Sequence, residues 1–75
     1  MKFKALREHC TANAYRLNIT RNSGKVESCE VHLLYTVEPK RKLGKWDAAE
    51  VETFGPIITK WPVGYVNTLE VSLRE

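Results

Sequence analysis

A chain of 75 residues is long enough for one small domain and too short for several. Its hydrophobic fraction of 43% and charged fraction of 28% are typical of a folded domain and argue against intrinsic disorder. No apolar stretch is long enough to cross a membrane or to form a signal peptide, and a net charge of +3 is low for a dedicated nucleic-acid-binding domain.

The N-terminal segment, residues 1–13, fits two interpretations. Phe3, Leu6 and Cys10 recur at helical spacing, and good helix formers lie between them. The segment is close to the minimum length at which a helix nucleates, so a loose tail fits it equally well.

Residues 14–37 are predicted to form a β-hairpin that turns at residues 22–24. Gly24 suits the left-handed position that ends a three-residue loop, and the Asn-Ser pair before it suits the turn. Counting back from this turn places Leu17 opposite Cys29 and therefore on the same face of the sheet.

The predicted register divides this hairpin into two faces. The apolar face carries Tyr15, Leu17, Ile19, Cys29, Val31, Leu33, Tyr35 and Val37. The opposite face, which includes the Arg16–Glu30 pair and His32, is expected to meet solvent.

Residues 38–46 are predicted to be a basic loop, and they hold the strongest candidate binding residues. These are Lys40, Arg41, Lys42 and Lys45. A flexible loop with this charge density suits phosphate groups or an acidic protein surface. A solvated connection between two elements would have the same composition, and this alternative stays open.

Residues 47–54 are predicted to form a short helix. Asp47 and Glu50 have the spacing of a capping box, and Gly55 followed by Pro56 is a typical helix stop.

Residues 57–74 are predicted to form a second hairpin with the same kind of three-residue turn, at residues 62–64. This turn places Trp61 opposite Tyr65 on an apolar face. The pair is interpreted either as structural packing or as an aromatic anchor at an interface. Together these elements predict an α+β fold: a small antiparallel sheet of two hairpins with one short helix between them.

No residue pattern indicates catalysis, a cofactor or a small-molecule substrate. The histidines and cysteines, His9, Cys10, Cys29 and His32, have poor spacing for zinc, because residues 29 and 32 point to opposite faces of a strand. Both cysteines are expected to be reduced thiols in a cytoplasmic protein.

We expect a non-enzymatic protein-binding module without a membrane partner. Free-standing proteins of this size are often phage or plasmid modulators or inhibitors of host machines such as RNA polymerase, nucleases or CRISPR complexes, and the chain has the appearance of a complete small reading frame. The alternative is a nucleic-acid-binding protein that uses residues 40–45 and a basic N-terminus.

Overall fold

The computed structural model of the chain describes residues 1–75 as two short helices and four strands. In chain order these are α1 (Phe3–His9), β1 (Ala14–Thr20), β2 (Val26–His32), α2 (Pro39–Gly44), β3 (Glu50–Trp61) and β4 (Gly64–Arg74). The strands form one sheet in the order β2-β1-β4-β3. The predicted α+β class is confirmed, and residues 1–13 include a helix.

The sheet is mixed, so the prediction of a purely antiparallel sheet is wrong. Each hairpin is antiparallel within itself, but the central strands β1 and β4 run parallel. Their register places Leu17 beside Val71 and Ile19 beside Leu73, all of them almost fully buried. The two most apolar strand faces thus become neighbours at the centre of the sheet, where burial is greatest.

The first hairpin has the predicted register, with Leu17 opposite Cys29 and Gly24 in a positive-φ conformation (φ 88°). However, β2 ends at His32 and not at residue 37. The amide of Leu34 donates to Nδ1 of His32 at 3.0 Å, which turns the chain away from the sheet. His32 is buried, contrary to prediction.

This early end of β2 changes the predicted apolar face. Leu33, Tyr35 and Val37 do not continue the strand and are exposed, and Cys29 is exposed within it. Tyr15, Leu17, Ile19 and Val31 are buried as predicted.

The helix predicted over residues 47–54 is wrong, because β3 begins at Glu50 and runs through that segment. Asp47 caps no helix; its carboxylate pairs with Arg7 instead. The segment that follows is rich in β-branched and aromatic residues, and its long ladder with β4 outweighs the local capping signal. Pro56 is tolerated because β3 is an edge strand.

The helix between the hairpins lies earlier, in the segment predicted to be a loop. Pro39 occupies the first turn of α2, where its missing N–H costs nothing. Glu38 precedes it in a left-handed conformation (φ 51°). Leu43 is 1% exposed and fixes α2 to the core.

The second hairpin is displaced by one residue from the predicted register. Only residues 62 and 63 form the turn, so Trp61 pairs with Gly64, and Lys60 pairs with Tyr65. A one-residue shift reverses which side chains share a face. Trp61 and Tyr65 therefore lie on opposite faces of the sheet and are not a cross-strand pair.

The main core lies between one face of the sheet and the helices. Phe3 of α1 is fully buried and packs edge-on against Tyr15, with ring centroids 6.1 Å apart. Its amide donates to the carbonyl of Ala49 at 3.0 Å, so α1 is tied to the chain before β3. The remaining core residues are Leu6, Leu17, Ile19, Val31, Leu43, Trp46, Ala49, Leu69, Val71 and Leu73.

A second, smaller buried cluster occupies one end of the opposite face. Trp61 Nε1 donates to Thr59 Oγ1 at 2.8 Å, and Thr59 Oγ1 contacts Thr68 Oγ1. Thr68 in turn donates to the carbonyl of Val66 at 3.2 Å. Since a hydroxyl has one proton, Thr59 must donate to Thr68. This chain of hydrogen bonds satisfies the polar groups that the register buries. His32 packs edge-on against Trp61, with centroids 4.9 Å apart.

Candidate functional site

Helix α2 gathers the predicted basic residues on one short, exposed element. Lys40, Arg41 and Lys42 lie within α2, and Lys45 follows its last residue; all four are exposed. We call these four residues the basic surface. Because buried Leu43 holds the helix against the core, their positions are more restricted than those of a loop would be.

Three members of the basic surface have no internal charge partner. Lys40, Lys42 and Lys45 form no ion pair within 4.0 Å, and Arg41 contacts only the highly exposed Glu38. Every acidic residue except Glu8 lies in such a pair. Three of the six lysines without an ion pair therefore lie around α2. The other lysines without an ion pair are Lys4, Lys25 and Lys60.

The basic N-terminus is largely neutralised within the fold. Lys2 Nζ lies 2.6 Å from a carboxylate oxygen of Glu50, and Arg7 pairs with Asp47. The hydrogen bond from Lys2 is the largest cause of the lowered pKa of Glu50, and the N-terminal ammonium lowers it further.

Trp46 joins the basic surface to the core. Its ring lies 5.0 Å from Lys45 Nζ and 5.0 Å from Arg21 Cζ, both within the range of a cation–π contact. The ring is only 9% exposed and packs in the core. The contacts of Trp46 with Lys45 and Arg21 were not predicted from the sequence.

A groove of about 370 Å³ separates α2 from strand β2. Its walls include Lys42 and Lys45 on the α2 side and Glu27 and Cys29 on the β2 side. Desolvation raises the pKa of the Cys29 thiol, whereas the charges of Lys45 and Lys42 oppose that shift. The two lysines therefore act electrostatically on the middle of β2.

The predicted aromatic anchors are not brought together. Trp61 is half-buried in the second cluster, where its indole N–H already has an acceptor. Tyr65 is 78% exposed on the other face. Tyr65 remains available as a surface contact, and Trp61 is mainly structural.

An exposed apolar segment directly before α2 was not foreseen from the sequence. Leu34 is 85% exposed and Val37 is 77% exposed. A groove of about 500 Å³ begins beside Leu34 and Tyr35 and extends to Val63 and Tyr65. Pro39 was the available signal for the helix that follows, since proline is common in the first turn of a helix.

No group of three or more histidine, cysteine or acidic side chains is placed to hold a metal ion, and both cysteines are free thiols. Neither helix has the length and apolar character needed to cross a bilayer. No family profile, curated protein or solved structure matches the chain significantly.

Proposed function

We propose that the protein is a small, non-enzymatic, cytoplasmic protein-binding module whose basic surface docks an acidic partner. The observation that carries this proposal is the charge distribution. Lys40, Lys42 and Lys45 lack internal partners, although nearly every carboxylate of the protein has one. Such lysines can meet an external carboxylate without breaking an existing ion pair, which favours association.

The apolar segment before α2 supports a protein partner. Leu34, Tyr35 and Val37 are exposed next to the basic surface. Stable protein interfaces combine apolar contacts that lose water with a charged rim that steers the approach. Residues 34–45 provide both parts in one continuous stretch.

A protein partner is favoured over nucleic acid because half of the lysines and arginines are already paired with carboxylates. Arg7, Arg16, Arg21 and Arg74 all contact carboxylates, and Lys2 does the same. A groove that follows a nucleic-acid backbone needs cations along its length. By its size, the module suits a modulator or inhibitor of a larger host machine, of the kind that phages and plasmids direct at RNA polymerase, a nuclease or a CRISPR complex.

The test is quantitative capture from a lysate of the source cells, performed with and without nuclease. Three tagged proteins are compared: the wild type, a Lys40→Glu/Lys42→Glu variant and a Lys4→Glu/Lys60→Glu variant. The two variants change net charge equally, and all four lysines lack ion pairs in the fold.

We expect the wild type to capture a partner protein whose recovery does not depend on nuclease treatment. The Lys40/Lys42 variant should lose this partner, and the Lys4/Lys60 variant should retain it. Loss of all capture after nuclease treatment would assign the nucleic-acid alternative. Equal capture by both variants would remove the basic surface from the mechanism.

A further inference from the structure

We propose that the outer edge of β2 binds an extended acidic segment of a partner protein, which adds to the sheet as a fifth strand. This inference rests on the proposed function and gives it a binding mode and a partner chemistry. It depends on three features: the free backbone edge of β2, the adjoining groove, and the unpaired lysines around both.

The outer edge of β2 carries unpaired backbone groups. β2 is the terminal strand of the sheet, so one of its two hydrogen-bonding sides has no strand partner. Outside the sheet, its only backbone hydrogen bonds are made by His32, at its end. In an antiparallel pair, every second residue directs its N–H and C=O away from the neighbouring strand. Residues 26–31 therefore present unpaired donors and acceptors at regular spacing.

The two edges of the sheet differ in their protection. β3 contains Pro56 and an irregular register between Val51 and Thr53, two features that hinder pairing with another strand. β2 contains no proline, glycine or lysine, and its pairing with β1 is continuous from residue 26 to residue 32. Strand addition is therefore favoured at β2.

The groove determines which side chains an added strand can place there. It lies on the α2 side of the sheet and has Lys42, Lys45 and exposed Cys29 in its walls. A strand beside β2 would direct every second side chain toward this groove. Carboxylates at those positions would meet lysine ammonium groups that have no internal partner.

Lys25 extends the positive field to the start of β2. The hydrogen bond from Arg21 is the largest cause of the lowered pKa of Glu27, and the charges of Lys25 and Lys45 lower it further. Glu27 and Glu30 on the strand itself are already paired with Arg21 and Arg16. Arg16 also contacts Glu70, and Arg21 also contacts Glu75. The positive excess at this edge therefore comes from Lys25, Lys42 and Lys45.

A second copy of the chain fits this edge poorly. Pairing of two β2 strands would place four carboxylates, Glu27 and Glu30 of each copy, within one seven-residue ladder, and like charges brought close across a ladder are unfavourable. An acidic partner segment differs, because carboxylates that it places beside Lys42 and Lys45 gain attractive contacts that offset the charge of Glu27 in the same groove.

The test uses a fluorescent eight-residue peptide of alternating glutamate and valine, with blocked ends. The first control peptide has the same sequence with N-methyl groups on its four central residues, so that charge and side chains are kept but the backbone donors are lost. The second control peptide replaces glutamate with lysine. Binding is measured by fluorescence polarisation at low salt and located by amide chemical shifts and hydrogen exchange.

We expect saturable binding of the glutamate peptide, with shift changes and slowed exchange confined to β2 and α2. N-methylation should weaken binding by about tenfold or more, because several hydrogen bonds are lost. The lysine peptide should not bind. The peptide should also slow alkylation of Cys29, measured by mass spectrometry, because the thiol lies in the groove wall.

The second part of the test uses variants of the protein. Lys25→Glu/Lys42→Glu should weaken peptide binding by about fivefold or more at low salt, whereas Lys4→Glu/Lys60→Glu should change it by less than about twofold. Urea melts of both variants should match the wild type, which excludes unfolding as the cause.

Three results would overturn the inference: absence of saturable binding, equal binding of the N-methylated peptide, or shift changes along β3. If the peptide fails but capture from lysate still depends on Lys40 and Lys42, strand addition is refuted and the proposed function stands. If both fail, the proposed function is refuted as well.

Discussion

The contact between Thr59 and Thr68 gives a direct test of the register of the second hairpin. In the structure the two hydroxyls touch and form the middle of a chain from the Trp61 indole to the Val66 carbonyl. In the register predicted from the turn residues, Thr59 would instead face Asn67. The two registers therefore differ in which pair of residues is energetically coupled.

The expected magnitude follows from the hydrogen bonds. Thr59→Val removes the acceptor of Trp61 and the donor to Thr68, which should cost about 1–2 kcal/mol, since Trp61 is only half-buried and water can reach it. Thr68→Val breaks the same contact and should cost about 1 kcal/mol. The double variant should lose less than the sum of the two, by about 0.5–1.5 kcal/mol, because the shared hydrogen bond is lost only once.

The assay is urea unfolding of the wild type, both single variants and the double variant, monitored by tryptophan fluorescence. A second cycle with Thr59→Val and Asn67→Ala is the control and should show no coupling, because Asn67 pairs with Ile58 on the other face. Stronger coupling between residues 59 and 67 than between 59 and 68 would refute the register and the assignment of faces that follows from it.

Other measurements test the core, the charge network and the thiols. Leu17→Ala should lower the free energy of unfolding by about 2–5 kcal/mol, because the side chain is fully buried. Arg16→Ala, on the exposed face, should lower it by only about 0–1 kcal/mol. Equal losses of stability in urea melts would contradict the face assignment. Arg21 hydrogen bonds hold the pKa of Glu27 below its usual value, so this pair stabilises the fold above the usual glutamate pKa and loses its effect as pH falls through the lowered pKa. Arg21→Gln should therefore reduce the melting temperature at neutral pH and have little effect in acid; a difference that grows in acid would contradict the pairing. Cys29 should react with a small alkylating reagent in the folded protein, and faster as pH rises toward its raised pKa; mass spectra showing no modification before unfolding would contradict its exposure.

The first hairpin was predictable from sequence because one turn fixed its whole register. Gly24 at the left-handed position sets the pairing, and alternation of apolar residues sets the faces. The end of the strand was not predictable in the same way. Leu33, Tyr35 and Val37 continue the alternation, but the hydrogen bond from Leu34 to His32 ends the strand before them.

The helix between the hairpins was placed in the wrong segment for a physical reason. Asp47 and Glu50 offer a local capping signal worth about 1 kcal/mol, whereas the ladder between β3 and β4 spans almost all of both strands. Long-range strand pairing therefore outweighs the local capping signal, and such pairing cannot be read from a short stretch of sequence. The same limit applies to the parallel pairing of β1 and β4, since no turn connects them directly.

The candidate site was predictable in composition but not in geometry. Lys40, Arg41, Lys42 and Lys45 stand out in the sequence, and the fold keeps them together on α2. Which cations remain free depends on pairs between residues distant in the chain, such as Arg7 with Asp47. A shift of one residue in the second hairpin was enough to separate Trp61 from Tyr65.

The central claim is that the unpaired lysines around α2 attract an acidic protein. The most direct measurement is the association rate of the captured partner as a function of ionic strength, for the wild type and for the Lys40→Glu/Lys42→Glu and Lys4→Glu/Lys60→Glu variants. We predict a rate that falls steeply with salt for the wild type and the Lys4/Lys60 variant, and a slow rate with little salt dependence for the Lys40/Lys42 variant. Identical rates and salt dependence for the two variants would contradict the claim.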